Sequence, residues 1–126
     1  MPKLLEMKKF VKIKGGKKPS NYLSISKCGW VTITDGLTKE LHTEKYQSVD
    51  FFSKDDDRTV AVVFYKDKKD GELCLRQRAY HPRPKSCGFA IFRFVEHNPK
   101  FVGYYELEKT TQDESLTAFF KPIRGN

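Results

Sequence analysis

Lys27-Cys28-Gly29-Trp30-Val31-Thr32-Ile33 and Ser86-Cys87-Gly88-Phe89-Ala90-Ile91-Phe92 read as two versions of one phrase, a Cys-Gly turn followed by an aromatic residue and a strand. Around the first copy, residues 22–26 alternate and residues 30–34 alternate with Val31 and Ile33 on one face, which predicts a hairpin turning at Cys28-Gly29. Downstream, Thr34 or Asp35 can cap a short helix in which Leu37 and Leu41, four apart, share one side. Two longer alternating strands follow, over 46–53 and 58–66, joined by the acidic turn at Asp55-Asp56-Asp57. Their expected buried set is Val49, Phe51, Val60, Val62 and Phe64. The order is β, β, short α, β, β.

The second copy starts a similar series. Residues 72–80 are expected as a strand, 81–86 as a loop that Pro82 and Pro84 keep irregular, and 89–94 as the returning strand. Residues 101–108 and 115–121 then pair around a polar turn over 109–114, and Thr117-Ala118-Phe119-Phe120 echoes Ala61-Val62-Val63-Phe64. Between Val95 and Lys100 there is room for one helical turn at most, and Pro99 opposes even that. One such half could not cover its own apolar face, whereas two packed together could. The expected organisation is a basic arm over 1–20, ending in Gly15-Gly16-Lys17-Lys18-Pro19-Ser20, and one domain of two repeats, 21–70 and 71–124. Within the arm, residues 10–14 could form a short edge strand.

Charge follows the repeat. Seven lysines and no Asp or Glu lie between Met7 and Thr34, and four arginines and one lysine lie unopposed between Leu73 and Val95. The net charge is +8, and the stretch between those two segments is acidic overall. A basic, strand-rich element on a mildly acidic body points to a polyanion. At 126 residues the chain is expected to be one compact domain with a real core. No apolar run approaches the roughly 18 residues a bilayer span needs, and no secretory signal is legible, so no membrane contact is expected. Three cysteines, Cys28, Cys74 and Cys87, cannot all pair within one chain, which suits a reducing cytoplasm.

The segment Gly29-Trp30-Val31-Thr32-Ile33-Thr34-Asp35-Gly36-Leu37-Thr38-Lys39-Glu40-Leu41, with the hairpin after it, resembles the swapped-hairpin DNA-binding domain of AbrB and MazE. That resemblance covers residues 22–66, and 73–121 more faintly. It implies a mainly β protein with one or two short helices, in which two pseudo-symmetric β-β-α-β-β halves form a swapped-hairpin-like barrel. Family members are interleaved homodimers, so a tandem duplication implies a monomeric pseudo-dimer or a higher homo-oligomer built from it. The family's usual arginines after the hairpin glycine and on the helix are replaced here by Trp30, Thr38 and Lys39, of which Lys39 alone keeps the charge.

Nucleic-acid contacts are therefore expected from Lys12, Lys14, Lys17 and Lys18 in the arm, Lys27 and Lys39 in the first half, and Arg76, Arg78, Arg83, Lys85 and Arg93 in the second. Arg76 and Arg78, two apart in a strand, are expected to share a face. Duplex DNA is favoured, as for a small transcriptional regulator. A single-stranded binder of the PC4 or OB type would instead use exposed aromatics, with Trp30, Tyr80 and Phe89 as the stacking candidates. In the adjacent pairs Phe51-Phe52, Tyr104-Tyr105 and Phe119-Phe120, alternation sends one member to each face, and most of these rings are expected in the core. A third reading is a protein-binding effector or inhibitor of the phage or plasmid type. His42, His81 and His97 are scattered, no metal-ligand spacing appears, and no acid, base and nucleophile converge, so neither catalysis nor a cofactor is expected.

Overall fold

The computed structural model describes residues 21–80 and 83–123, and the side chains of 78–80 and 83–85 lie outside that description. The basic arm, the edge strand expected over 10–14, and Lys12, Lys14, Lys17 and Lys18 fall outside the described residues.

The first half forms as its periodicity requires. Strands β1 (Leu23–Ile25) and β2 (Trp30–Ile33) pair with Leu23 opposite Ile33. Gly29, at φ 91°, turns the chain, and its N–H donates to the Ser26 carbonyl. Helix α1 (Asp35–Leu41) begins after Thr34, buries Leu37 and Leu41, and ends where His42 adopts a left-handed φ of 56°. Strands β3 (Ser48–Ser53) and β4 (Val60–Tyr65) bury Val49, Val60, Val62 and Phe64, with Phe51 half-buried.

The second half comprises β5 (Leu73–Cys74), β6 (Arg76–Tyr80), β7 (Arg83–Ala90), helix α2 (Phe92–His97), β8 (Gly103–Gln112) and β9 (Leu116–Pro122). It corrects several expectations. Arg83, Pro84 and Lys85 belong to β7 and not to a loop. Proline is tolerated there because this part of β7 pairs only with β6, beside a register shift at Arg78/Ala79. The returning strand stops at Ala90, and the Phe92/Phe94 alternation belongs to a helix. Ile91 and Val95, four apart, are both buried, and the Asn98 amide donates to the Phe94 carbonyl at the helix end. Arg93 thus stands on α2, and the helix thought almost missing from this half is present. The polar turn over 109–114 shrinks because β8 runs on to Gln112, past a register shift between Leu107 and Lys109.

The two copies of the opening phrase also serve different purposes. Cys28-Gly29 is a turn, but Cys87 and Gly88 lie inside β7, paired with Ile33 and Thr32. The two cysteines do not occupy equivalent turn positions.

All strands join one antiparallel sheet in the order β5-β3-β4-β9-β8-β1-β2-β7-β6, and it curls into a nearly closed barrel. Its two margins, β5 and β6, are consecutive pieces of one run broken at Leu75, whose N–H donates to the Gln47 carbonyl. Around the ring, exchanging β1 with β5/β6, β2 with β7, β3 with β8 and β4 with β9 leaves the order unchanged. Register agrees, since Val62 of the echoed tetrapeptides stands opposite Ala118, its counterpart. The mainly β barrel expected from the sequence is the observed fold.

Tyr105, Phe64, Phe89, Phe101 and Phe120 fill the interior. Burying such a side chain is worth about 1.5–3 kcal/mol. The Tyr105 hydroxyl donates to the Phe101 carbonyl at 2.6 Å, and burial pushes its pKa up to about 12 against an opposing pull from Arg58. No helix among the described residues is long and apolar enough to cross a membrane.

Candidate nucleic-acid interface

Alternation decides which side chains reach the outside of the barrel. In β1, β2 and β7 the inward set includes Leu23, Ile25, Val31, Ile33, Cys87 and Phe89, so their neighbours face outward. One ladder row crosses five strands: Tyr104 on β8, Ser24 on β1, Thr32 on β2, Gly88 on β7 and Arg76 on β6. At the usual strand spacing the row is about 19 Å long. It contains no carboxylate. Two hydroxyls stand near its middle, an exposed arginine ends it, and at the other end Tyr104 packs on Tyr22 with ring centroids 5.1 Å apart. Gly88 leaves space that the Trp30 indole occupies, since a Cβ at Gly88 would lie 2.9 Å from Trp30 Cε2 and would meet the Val31 carbonyl.

From this row the β6–β7 pair continues as a two-stranded ribbon. Residues Cys87 to Ala90 of β7 pair with β2, whereas Arg83, Pro84 and Ser86 pair with β6 alone. Arg78 stands opposite Ser86, and Tyr80 opposite Arg83. On the inner side the Gln77 amide donates to the Thr43 carbonyl at 2.6 Å, tying the ribbon base to the turn after α1. The backbone thus gathers Arg76, Arg78, Arg83 and Lys85 into one hairpin.

The other expected cations are placed elsewhere. Lys27 is exposed on the β1–β2 turn, which packs on the start of α2 through Gly29 and Phe92. Arg93 is exposed on α2 and shares a groove with Asp50 and Glu72. Lys39 is exposed on α1 among Asp35 and Glu40, a mixed field. The ion pairs among the described residues are His42–Glu44, Lys100–Asp55 and Lys121–Glu106, so Lys27, Lys39, Arg76 and Arg93 are not neutralised by any described acid.

Of the stacking candidates, Phe89 is corrected: it is fully buried opposite Val31, because it shares the inward phase of β7 with Cys87. Trp30 is half-buried on the outer face, and the Tyr80 side chain lies outside the description. Each adjacent aromatic pair divides as alternation requires, with Tyr105 inside and Tyr104 exposed, and Phe120 inside and Phe119 half-exposed. The outward rings Tyr22, Tyr104, Phe52 and Phe92 were not singled out from sequence; for Tyr104 and Phe52 the paired-aromatic alternation was the available signal.

Thiol chemistry follows position. Burial pushes Cys87 up to about 12, while Cys28 is exposed and held below its ordinary value by the Ser26 hydroxyl 3.1 Å away. Among the described residues no group of three or more His, Cys, Asp or Glu side chains could hold a metal ion. Comparison of the chain with protein-family models, with curated proteins and with solved structures finds no match.

Proposed function

We propose that the protein binds nucleic acid, duplex DNA in preference, through the β6–β7 ribbon. The observation that carries this reading is a two-stranded ribbon that outruns the rest of the sheet, within a segment holding five basic residues and no acid between Leu73 and Val95. A major groove about 12 Å wide admits such a ribbon, and arginines along it would reach phosphates on its borders. The resemblance of residues 29–41 to the AbrB hairpin and helix supports a role as a small regulator of transcription, acting as a monomeric pseudo-dimer. Three free cysteines, two of them exposed, accord with a reducing compartment such as the cytoplasm.

A second reading, single-stranded nucleic acid laid on the outer sheet face, is favoured by the row from Tyr104 to Arg76 with Trp30 beside it. Titration of duplex and single-stranded oligonucleotides at two ionic strengths separates the two. The duplex is expected to bind more tightly, with a log–log salt slope of about −0.9 for each phosphate neutralised. Arg76→Glu with Arg78→Glu should shallow that slope by about 2 and weaken binding roughly tenfold or more at low salt. Arg76 is exposed, so Arg76→Glu alone should hardly move the thermal midpoint. Unchanged affinity in the double variant overturns the assignment.

A further inference from the structure

The run from Leu73 to Tyr80 forks the barrel. Its first two residues, β5, pair with Ser48 and Val49 of β3, and from Arg76 onward it pairs with β7, starting at Gly88. Past the fork, Phe89 and Ala90 of β7 pair with β2 alone, and among the described residues no strand lies against the outer edge of β3 over 50–53. Alternation shows which backbone groups that edge presents. Just past the strand the Lys54 N–H donates to the Thr59 carbonyl, so the even-numbered residues of β3 turn toward β4. A Cβ at Gly71 would lie 2.7 Å from the Val49 nitrogen and 2.8 Å from its carbonyl oxygen, so the odd-numbered residues turn away from β4. Phe51 and Ser53 therefore aim their N–H and C=O groups past the margin of the sheet, where an added strand would bond them.

Beside this edge lies a groove of about 690 Å³, walled on its far side by the first turn of α2. Phe51 and Phe94 meet on its floor, ring centroids 5.3 Å apart, and Phe52 and Phe92 stand on its rims, 54% and 55% exposed. A strand laid on the edge would set the residue opposite Phe51 over that floor, and would set its neighbours, on the other face, beside Asp50 and Phe52. The Asp50 carboxylate is fixed there, accepting from the Glu72 N–H at 2.8 Å and from the Tyr65 hydroxyl at 3.0 Å. Glu72 is the groove's second acid, Arg93 is the cation among its described residues, and β3 runs on into Asp55-Asp56-Asp57. A fitting occupant is thus apolar on one side and basic on the other. The same acids oppose a second copy, because two β3 edges paired together would crowd Asp50 and the Asp55-Asp56-Asp57 turn of both chains.

We infer that the open edge of β3 takes an extended segment of a partner protein in which apolar and basic residues alternate. The apolar residues fill the trough over Phe51 and Phe94, and the basic ones face Asp50 and Glu72. Main-chain hydrogen bonds to Phe51 and Ser53 supply affinity, and the trough selects the side chains. The partner's segment occupies the gap that the fork leaves between β3 and β7.

Hydrogen exchange on the intact chain, without nucleic acid, tests this with a capped heptapeptide that alternates lysine and valine. At saturation the Phe51 and Ser53 amides should exchange roughly tenfold or more slowly, while those of Asp50 and Phe52, which face β4, should not change. Affinity read at the Phe51 and Ser53 amides should fall roughly tenfold or more when glutamate replaces lysine in the peptide, and likewise in Glu72→Lys and Phe92→Asp, both at exposed positions. Methylating the peptide nitrogens should abolish the protection. Phe51 and Ser53 amides left unslowed by the peptide overturn the inference, as does equal affinity for the lysine and glutamate peptides or for the native and Glu72→Lys proteins. So does protection already complete in the protein alone, because the edge is then closed by this chain or by a second copy of it. Each of these failures leaves the ribbon reading standing.

Discussion

Trp30 and Phe89 follow the same Cys-Gly pair in sequence and meet opposite fates in the barrel. Strands β2 and β7 pair with Trp30 opposite Ala90 and Val31 opposite Phe89, so the two aromatics fall in opposite phases of the pleat. Phe89 enters the core, where its ring lies 6.1 Å from that of Phe51, and Trp30 lies outside across Gly88. Phe89→Ala should therefore cost about 3–5 kcal/mol in urea unfolding while leaving the affinity of the folded fraction for DNA unchanged. Nothing in the phrase itself announces the difference. Only the partner strand fixes which phase is inward, and that is a long-range fact.

Among elements, the β1–β2 turn and helix α2 are fitted to each other. Gly29 has φ 91°, the Ile91 N–H donates to its carbonyl at 2.7 Å, and a Cβ at Gly29 would lie 2.9 Å from the Phe92 nitrogen. Gly29→Ala should destabilise by at least about 1–2 kcal/mol through the backbone alone, read as a lowered denaturation midpoint. The first half was legible because each of its elements carries its own period: two for β1 to β4, and Leu37 and Leu41 four apart for α1. The second half was less so. Phe92 and Phe94 mimic a strand, and the burial of Ile91 and Val95 that makes α2 a helix depends on contacts distant in sequence. Pro84 read as a breaker because the one-sided pairing that accommodates it cannot be seen locally. The candidate site was legible as a cluster of charges in the ribbon and illegible as the Tyr104–Arg76 row, which draws one residue from each of five strands.

At the scale of the whole molecule the halves are interleaved, since β1 pairs with β8, β2 with β7 and β4 with β9. Within either half the hairpins, β1–β2 and β3–β4 or β6–β7 and β8–β9, share no ladder with each other and are joined only through strands of the other half. Residues 21–70 or 71–123, produced separately, should show no cooperative unfolding, whereas the intact chain should give a single calorimetric transition whose van't Hoff and calorimetric enthalpies agree. The repeat was visible in the sequence as an order of elements, and strand order carries it more faithfully than the repeated phrase does. The break at Leu75 gives the architecture a seam: one short length of backbone supplies the first and last staves of the cask. Re-siting the chain ends there would let the staves spring apart into an open sheet, exposing two raw flanks to neighbouring molecules and trading a solitary particle for a polymerising one.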